Sequence, residues 1–137
     1  MAEHIVHNAP RPDLILCSTA VRTRQTLAPL VHRLANPAPP IALEKGLYLA
    51  SEGELLGRLR AIAEAIQTVL LIGHNEGIGA LAGGLAGEGN PATLAALHEK
   101  YPTGALATLE VPDRPWGELS LGSAELLAFV RPRDLKD

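Results

Sequence analysis

Apolar residues recur along the chain in two different spacings, which predict helices and strands in alternation. After Ser51 they follow the 3.6-residue period of an amphipathic helix. This stripe comprises Leu55, Leu56, Leu59, Ile62, Ala63 and Ile66. Ser51 and Glu54 have the spacing of a capping box, so the helix is predicted to begin there. Unbroken apolar runs over 14–17 and 69–72 are instead typical of buried strands.

The order of these elements predicts the fold class. Strands are predicted over 13–17, 41–43, 68–72, 105–111 and 126–130. A first helix is predicted from the N-cap candidates Ser18 and Thr19 to about Leu34. Further helices are predicted over 52–66, 77–85 and 92–100. Residues 1–8 are predicted to be the tail of a helix. Strands that alternate with helices indicate an α/β domain with a largely parallel sheet, in which 68–72 is a central strand covered on both faces. Ligands bind such sheets outside the carboxyl ends of the strands.

Composition excludes several classes of protein. The 137 residues are 47% hydrophobic and 20% charged, which favours one soluble globular domain. A formal charge of −3, with one Trp, two Tyr and one Phe, disfavours nucleic-acid binding. No apolar run reaches the roughly 18 residues of a membrane span, and residues 1–4 do not resemble a secretory signal. The single Cys17 excludes an intrachain disulfide and a cysteine-cluster metal site, so a cytoplasmic protein is expected.

Two predicted strand ends carry side chains that suit an anion. Arg22 lies one turn into its helix, and its guanidinium reaches back over the strand end near Ser18 with donors for two phosphoryl oxygens. His74 and Asn75 stand at a predicted helix start, where backbone amides favour a negative charge. Considered alone, Arg22 is interpreted as an exposed arginine like Arg24, and His74 as a residue that caps the helix. Together they predict a phosphate pocket.

These residues resemble the histidine phosphatase superfamily, whose fold is phosphoglycerate mutase-like, and within it the small phosphohistidine phosphatases of the SixA type. The resemblance rests on 12–18 with Arg22, Gln25 and Thr26, on 69–75, on 101–107, on Trp116 and on 129–135. It implies a three-layer α/β/α sandwich and a phosphatase that acts on phosphohistidine in protein partners, without a metal or organic cofactor. It also implies that Arg22 and His74 are catalytic, as phosphate clamp and distal histidine, in a pocket shared with Ser18 and Asn75.

One motif of the family is absent from this sequence. The family's nucleophile is a histidine in an Arg-His-Gly or Arg-His-Ala motif at the end of the first strand, and no Arg-His pair occurs here. His32 precedes Arg33 in the reverse order, and residues 1–8 are similar to the end of the helix that follows the family's first strand. We therefore expect a single domain over 1–137 that lacks its first strand and most of its first helix.

That expectation has two consequences. Without the nucleophile the chain is predicted to be inactive, so a phosphate-binding remnant or interaction domain of the same fold is the alternative to a working phosphatase. The lost strand is central in the family's sheet, so its neighbours would have unpaired edges through which a homodimer can form.

Three further interpretations concern Glu52, the glycine-containing segment over 77–82 and the histidines. Glu52 is a candidate proton donor to the leaving group, although at a helix start it also complements the helix dipole. A dinucleotide fingerprint over 77–82 is disfavoured because 74–76 separate it from the strand. A metal site built from histidines is disfavoured because their spacing matches no recognised pattern. The histidines considered are His4, His7, His74 and His98.

Overall fold

The computed structural model describes residues 1–34 and 37–135 and has a mixed α/β architecture with two three-stranded sheets. The helices are α1 (Ala2–Asn8), α2 (Val21–Arg33), α3 (Glu52–Arg60), α4 (Asn75–Leu85) and α5 (Pro91–Glu99). The strands are β1 (Leu14–Ser18), β2 (Ile41–Glu44), β3 (Val69–Ile72), β4 (Ala86–Gly89), β5 (Leu106–Glu110) and β6 (Ala124–Val130). Short 3₁₀ turns cover Lys45–Leu47, Trp116–Glu118 and Pro132–Leu135. No helix within the described ranges is long and apolar enough to cross a membrane.

The first sheet is parallel, with the strand order β2-β1-β3 and helices on both faces. Successive side chains of a strand point to opposite faces. Ile15 and Cys17 therefore pack on the side of α1 and α2, whereas Leu16 packs on the side of α3 and α4. All three are fully buried. This arrangement agrees with the three-layer sandwich that the sequence predicts.

The second sheet is mixed, with the order β4-β6-β5, and is covered by α5. Strands β4 and β6 are parallel, but β5 and β6 are antiparallel, so the largely parallel prediction holds only for the first sheet. Strand β4 was not predicted. Its sequence, Ala-Gly-Glu-Gly, has low intrinsic preference for a strand and forms one because β6 supplies a parallel partner.

Two helix boundaries differ from their predictions. The capping box of α3 is present, but the helix ends at Arg60 rather than near Ile66. Ile62 nevertheless stays in the core, because a tight turn keeps its side chain on the same side as α3. Helix α2 begins at Val21, and its N-cap is Ala20 rather than Ser18 or Thr19, because Ser18 still belongs to β1.

The prediction that 68–72 is a central strand is wrong. Among the described strands β3 pairs only with β1, and all four of its residues are half-buried. Strand β5 likewise pairs only with β6. Side chains of both strands reach one hydrophobic cluster, since Val69, Leu71 and Leu109 all pack against it. An apolar run predicts that both faces of a strand are covered. It does not predict whether the strand is hydrogen-bonded to a neighbouring strand on each side.

Candidate functional site

The first sheet brings Ser18 and His74 into contact. Strands β1 and β3 are parallel neighbours in which Cys17 pairs with Ile72, so both strands end at the same edge. Ser18 is the last residue of β1 and is fully buried, and His74 follows β3 by two residues. The Ser18 Oγ lies 3.2 Å from the His74 Nε2, within hydrogen-bond distance. Two of the four residues predicted to form the phosphate pocket are thus direct neighbours.

A buried threonine holds the turn that presents Ser18. The Thr23 hydroxyl lies 2.8 Å from the carbonyl oxygen of Ser18 and 2.9 Å from that of Ala20. The backbone N–H of Ala20 in turn donates to the Ser18 Oγ at 3.3 Å. Thr23 was not among the predicted site residues, yet a signal for it exists. It lies four and seven residues before Leu27 and Leu30, which places a polar side chain on the buried stripe of α2.

Arg22 and Asn75 lie at the same edge as Ser18 and His74. Arg22 is the second residue of α2, and Asn75 is the first residue of α4. Both are exposed, as is Arg24. Within residues 1–34 and 37–135, the ion pairs do not involve Arg22, so its guanidinium is not occupied by a carboxylate there.

The two helices that begin at this edge lack a side-chain N-cap, as α1 does. Neither Ala20, the N-cap of α2, nor His74, the N-cap of α4, accepts a hydrogen bond on its side chain from the first turn. By contrast, Ser51 caps α3 and Asn90 caps α5 with side-chain oxygens. Because an uncapped first turn leaves N–H groups for another acceptor, α2 and α4 both direct positive partial charge towards this edge.

An aromatic ring completes the surroundings of His74. The Tyr48 ring meets the imidazole edge-on, with 5.3 Å between ring centroids and 78° between ring planes. Tyr48 follows the 3₁₀ turn after β2, and its side chain is largely exposed. Its contact with His74 could not be predicted from the sequence, because the contact depends on the path of a loop.

Cys17, which precedes Ser18 in β1, is a nucleophilic residue type, but its reactivity is suppressed. The side chain is fully buried, and burial raises the pKa of its thiol. The Cys17 Sγ also donates to the carbonyl oxygen of Ser18 at 3.3 Å. Since the thiolate is the reactive form, the protonated Cys17 is a packing residue rather than an attacking group.

The structure does not bring Glu52 to this edge, so its prediction as a proton donor is corrected. A Cβ atom placed on Gly84 would overlap the Glu52 Oε2, so the carboxylate lies against the far end of α4. Gly84 is ten residues after His74, which in a helix corresponds to about 15 Å. Glu52 is the first residue of α3, where a negative charge complements the helix dipole.

The glycines of α4 are used for packing within the protein. A Cβ atom on Gly77 would overlap the carbonyl oxygen of Ala50, and one on Gly79 would lie 2.6 Å from the Tyr101 Cβ. These contacts leave no room for a dinucleotide over 77–82. Within the described residues, no group of three or more His, Cys, Asp or Glu side chains is placed to hold a metal ion.

Comparison with other proteins identifies close relatives. No protein-family model matches the chain. An uncharacterized protein of Mycobacterium leprae is 36% identical over 127 residues, which cover 92% of this chain and 75% of that protein. An uncharacterized protein of Mycobacterium tuberculosis (strain ATCC 25618 / H37Rv) is 37% identical over 128 residues, which cover 92% of this chain and 77% of that protein.

Similar solved structures are SixA proteins. A candidate phosphohistidine phosphatase SixA from Nakamurella multipartitia has a TM-score of 0.80 at 27% identity, over 96% of this chain and 77% of that chain. The corresponding protein from Agrobacterium tumefaciens has a TM-score of 0.75 at 30% identity, over 96% of this chain and 75% of that chain. The protein histidine phosphatase SixA complexed with tungstate shares the fold, with a TM-score of 0.73 at 22% identity over 98% of this chain and 78% of that chain. The phosphoglycerate mutase-like fold predicted from the sequence is confirmed.

Proposed function

Since this chain belongs to the SixA-type branch of the histidine phosphatase superfamily, we propose that Ser18, Arg22, His74 and Asn75 form its phosphate pocket. The ligand is the phosphoryl group of phosphohistidine in a protein partner, or an oxyanion of the same shape. The observation that carries the proposal is the 3.2 Å contact between Ser18 Oγ and His74 Nε2, at the edge where α2 and α4 both begin. The tungstate bound to one SixA relative supports the same ligand class.

Each residue has a role that follows from its chemistry. The Arg22 guanidinium clamps two phosphoryl oxygens, because its planar donors match their spacing. His74 is the distal histidine and donates to an equatorial oxygen, while the amides of the α4 first turn add positive partial charge. Asn75 contributes an exposed amide side chain beside them. The proposed binding uses no metal and no organic cofactor.

Catalysis in the family requires one more group. There a histidine attacks phosphorus, a nitrogen–phosphorus bond forms as the bond to the leaving group breaks, and water then hydrolyses the phosphohistidine. This sequence has no Arg-His pair to supply that nucleophile. We therefore propose that the 137-residue chain, as one domain, binds the phosphoryl group without transferring it. The first candidate function is thus that of a phosphohistidine phosphatase whose nucleophile this chain does not supply. The second candidate, a catalytically inactive phosphate-binding remnant or interaction domain of the same fold, is favoured by the same absence.

The binding proposal predicts a weak oxyanion site. We expect the chain to bind tungstate or sulfate with a dissociation constant in the millimolar range, about −4 kcal/mol, because the pocket has few cationic groups. Arg22→Ala is expected to weaken binding more than the matched variant Arg24→Ala, since both arginines are exposed in α2 but only Arg22 is assigned to the pocket. Isothermal titration calorimetry measures both. Equal losses from the two substitutions would overturn the role of Arg22.

The edges of the two sheets predict self-association. Strands β3 and β5 each pair on one side only among the described strands, and such edges offer N–H and C=O groups to another chain. We expect the 137-residue chain to dimerise at high concentration, by edge pairing or strand exchange. Light scattering measures the mass, and hydrogen exchange measures protection over Val69–Ile72. A stable monomer whose β3 amides are fully protected would contradict this prediction.

A further inference from the structure

The segment over 45–50 is held at both ends and projects two apolar side chains in its middle. Leu47 and Ala50 are buried, whereas Tyr48 is 55% exposed and Leu49 is 66% exposed. The backbone N–H of Tyr48 donates to the carbonyl oxygen of Lys45, and that of Ala50 donates to the carbonyl oxygen of Leu47. The segment is therefore also held by hydrogen bonds within itself. This loop therefore has a defined shape although its tip lies in solvent.

An ion pair and a helix contact fix the segment from outside. Arg58 of α3 binds Glu44, the last residue of β2, through two hydrogen bonds of 2.7 and 2.9 Å. On the other side, the carbonyl oxygen of Ala50 packs against the backbone of α4 at Gly77. Gly77 is three residues after His74, so the loop and the start of α4 are positioned together.

Leu49 has an unfavourable backbone conformation with no compensating burial. Its φ is +51°, in the left-handed region that residues with a Cβ atom avoid. Such conformations persist only where the surrounding structure imposes them, and they cluster at functional sites. Here the reversal at Leu49 leaves Tyr48 against the His74 ring while Ala50 returns to the core.

We propose that Tyr48 is a positioning residue for the phosphate pocket, an inference that rests on the proposed function. Ser18 Oγ contacts the His74 imidazole at one atom, Nε2, which by itself leaves the tilt of the ring free. The Tyr48 ring meets the same imidazole at 78° and restricts that tilt. Together they restrict the orientation of the His74 ring at the proposed phosphate pocket. The aromatic ring carries this role, and the tyrosine hydroxyl does not.

The test compares variants of Tyr48 with a variant of an apolar residue of similar exposure on the second sheet. Tyr48→Ala and Tyr48→Leu are expected to weaken tungstate binding about three- to tenfold, the effect of losing one aromatic pair. Tyr48→Phe keeps the ring and is expected to stay within about twofold of the unmodified chain, by the same reasoning. Leu127→Ala is the control, because Leu127 is 51% exposed and lies on β6 of the second sheet, and it is expected to bind normally.

The nuclear Overhauser contacts between the His74 ring protons and the Ser18 side chain give a second readout, because they report the placement of the ring and do not depend on the ring current of Tyr48. The His74 signals are identified by their loss in His74→Gln. Their contacts to Ser18 are expected to weaken in Tyr48→Ala and Tyr48→Leu but not in Tyr48→Phe or Leu127→Ala. If tungstate binding depends on Arg22 but neither binding nor the contacts between His74 and Ser18 respond to Tyr48→Ala and Tyr48→Leu, the positioning role is overturned and the proposed function stands. If the unmodified chain binds no oxyanion, the proposed function fails, and unchanged contacts between His74 and Ser18 in both variants would then overturn the positioning role as well.

Discussion

The 137-residue chain is expected to leave a phosphohistidine peptide and p-nitrophenyl phosphate unhydrolysed. Removal of the nucleophile from a multi-residue catalytic site costs about 10⁶-fold in rate and leaves only what binding supplies. No Arg-His pair is present, Cys17 is buried, and His74 is proposed to flank the phosphoryl group rather than stand in line with the leaving group. Phosphate release measured over hours, against a buffer blank, tests this expectation.

A fusion protein provides the positive control for that experiment. A segment with a strand that ends in Arg-His, joined ahead of Met1, is expected to restore turnover, because it supplies the attacking imidazole that the family uses. His74→Ala in the fusion is expected to abolish most of the activity. Turnover by the unfused chain, with an acid-labile phosphoryl label on His74, would contradict the assignment of roles. Inactivity of both forms would favour the phosphate-binding interaction domain.

Gly77→Ala is expected to destabilise the fold by about 3 kcal/mol, one of the largest effects of any single methyl group in this chain. The added Cβ would overlap the carbonyl oxygen of Ala50, which is backbone and cannot turn aside as a flexible side chain can. The start of α4 would have to move, and His74 with it. Urea denaturation measures the loss of stability, and calorimetry measures the accompanying loss of tungstate binding.

Gly57→Ala is the matched control for this substitution. Gly57 lies within α3 and is exposed, and a Cβ atom there meets nothing within 4 Å. Alanine in a helix interior is more favourable than glycine by about 0.5–1 kcal/mol, so this variant is expected to be slightly more stable. Equal unfolding midpoints for the two variants would show that the contact between Ala50 and α4 does not constrain the helix.

The features predicted correctly from sequence are those encoded by neighbours along the chain. The capping box at Ser51 is local chemistry, and the apolar run before Ser18 is long enough to specify a buried strand. The proximity of Ser18 and His74 followed from one topological assumption, that the strands before them are parallel and adjacent. If the two strands are parallel neighbours, their ends lie at the same edge of the sheet, although the residues are far apart in sequence. The parallel register of β1 and β3 confirms this assumption.

The features that were missed depend on contacts between distant segments. Tyr48 reaches His74 through the path of a loop, and Glu52 turns towards Gly84 because that position has no side chain to exclude it. Thr23 was detectable as a polar residue on an apolar stripe, but its hydrogen bond to the Ser18 carbonyl was not. The apolar run of β3 did not by itself indicate an edge position, since half-buried and fully buried runs are composed of the same residue types.

The composition of α4 has a consequence for the order of folding. Four of its residues are glycines, Gly77, Gly79, Gly83 and Gly84, and each costs about 0.5–1 kcal/mol relative to alanine in a helix interior. The isolated segment therefore has little tendency to become helical, and it is stabilised by docking against Ala50 on one side and Tyr101 on the other. We expect α4 to form late, after residues from both directions along the chain have collapsed. His74 would then be among the last residues to reach its native position.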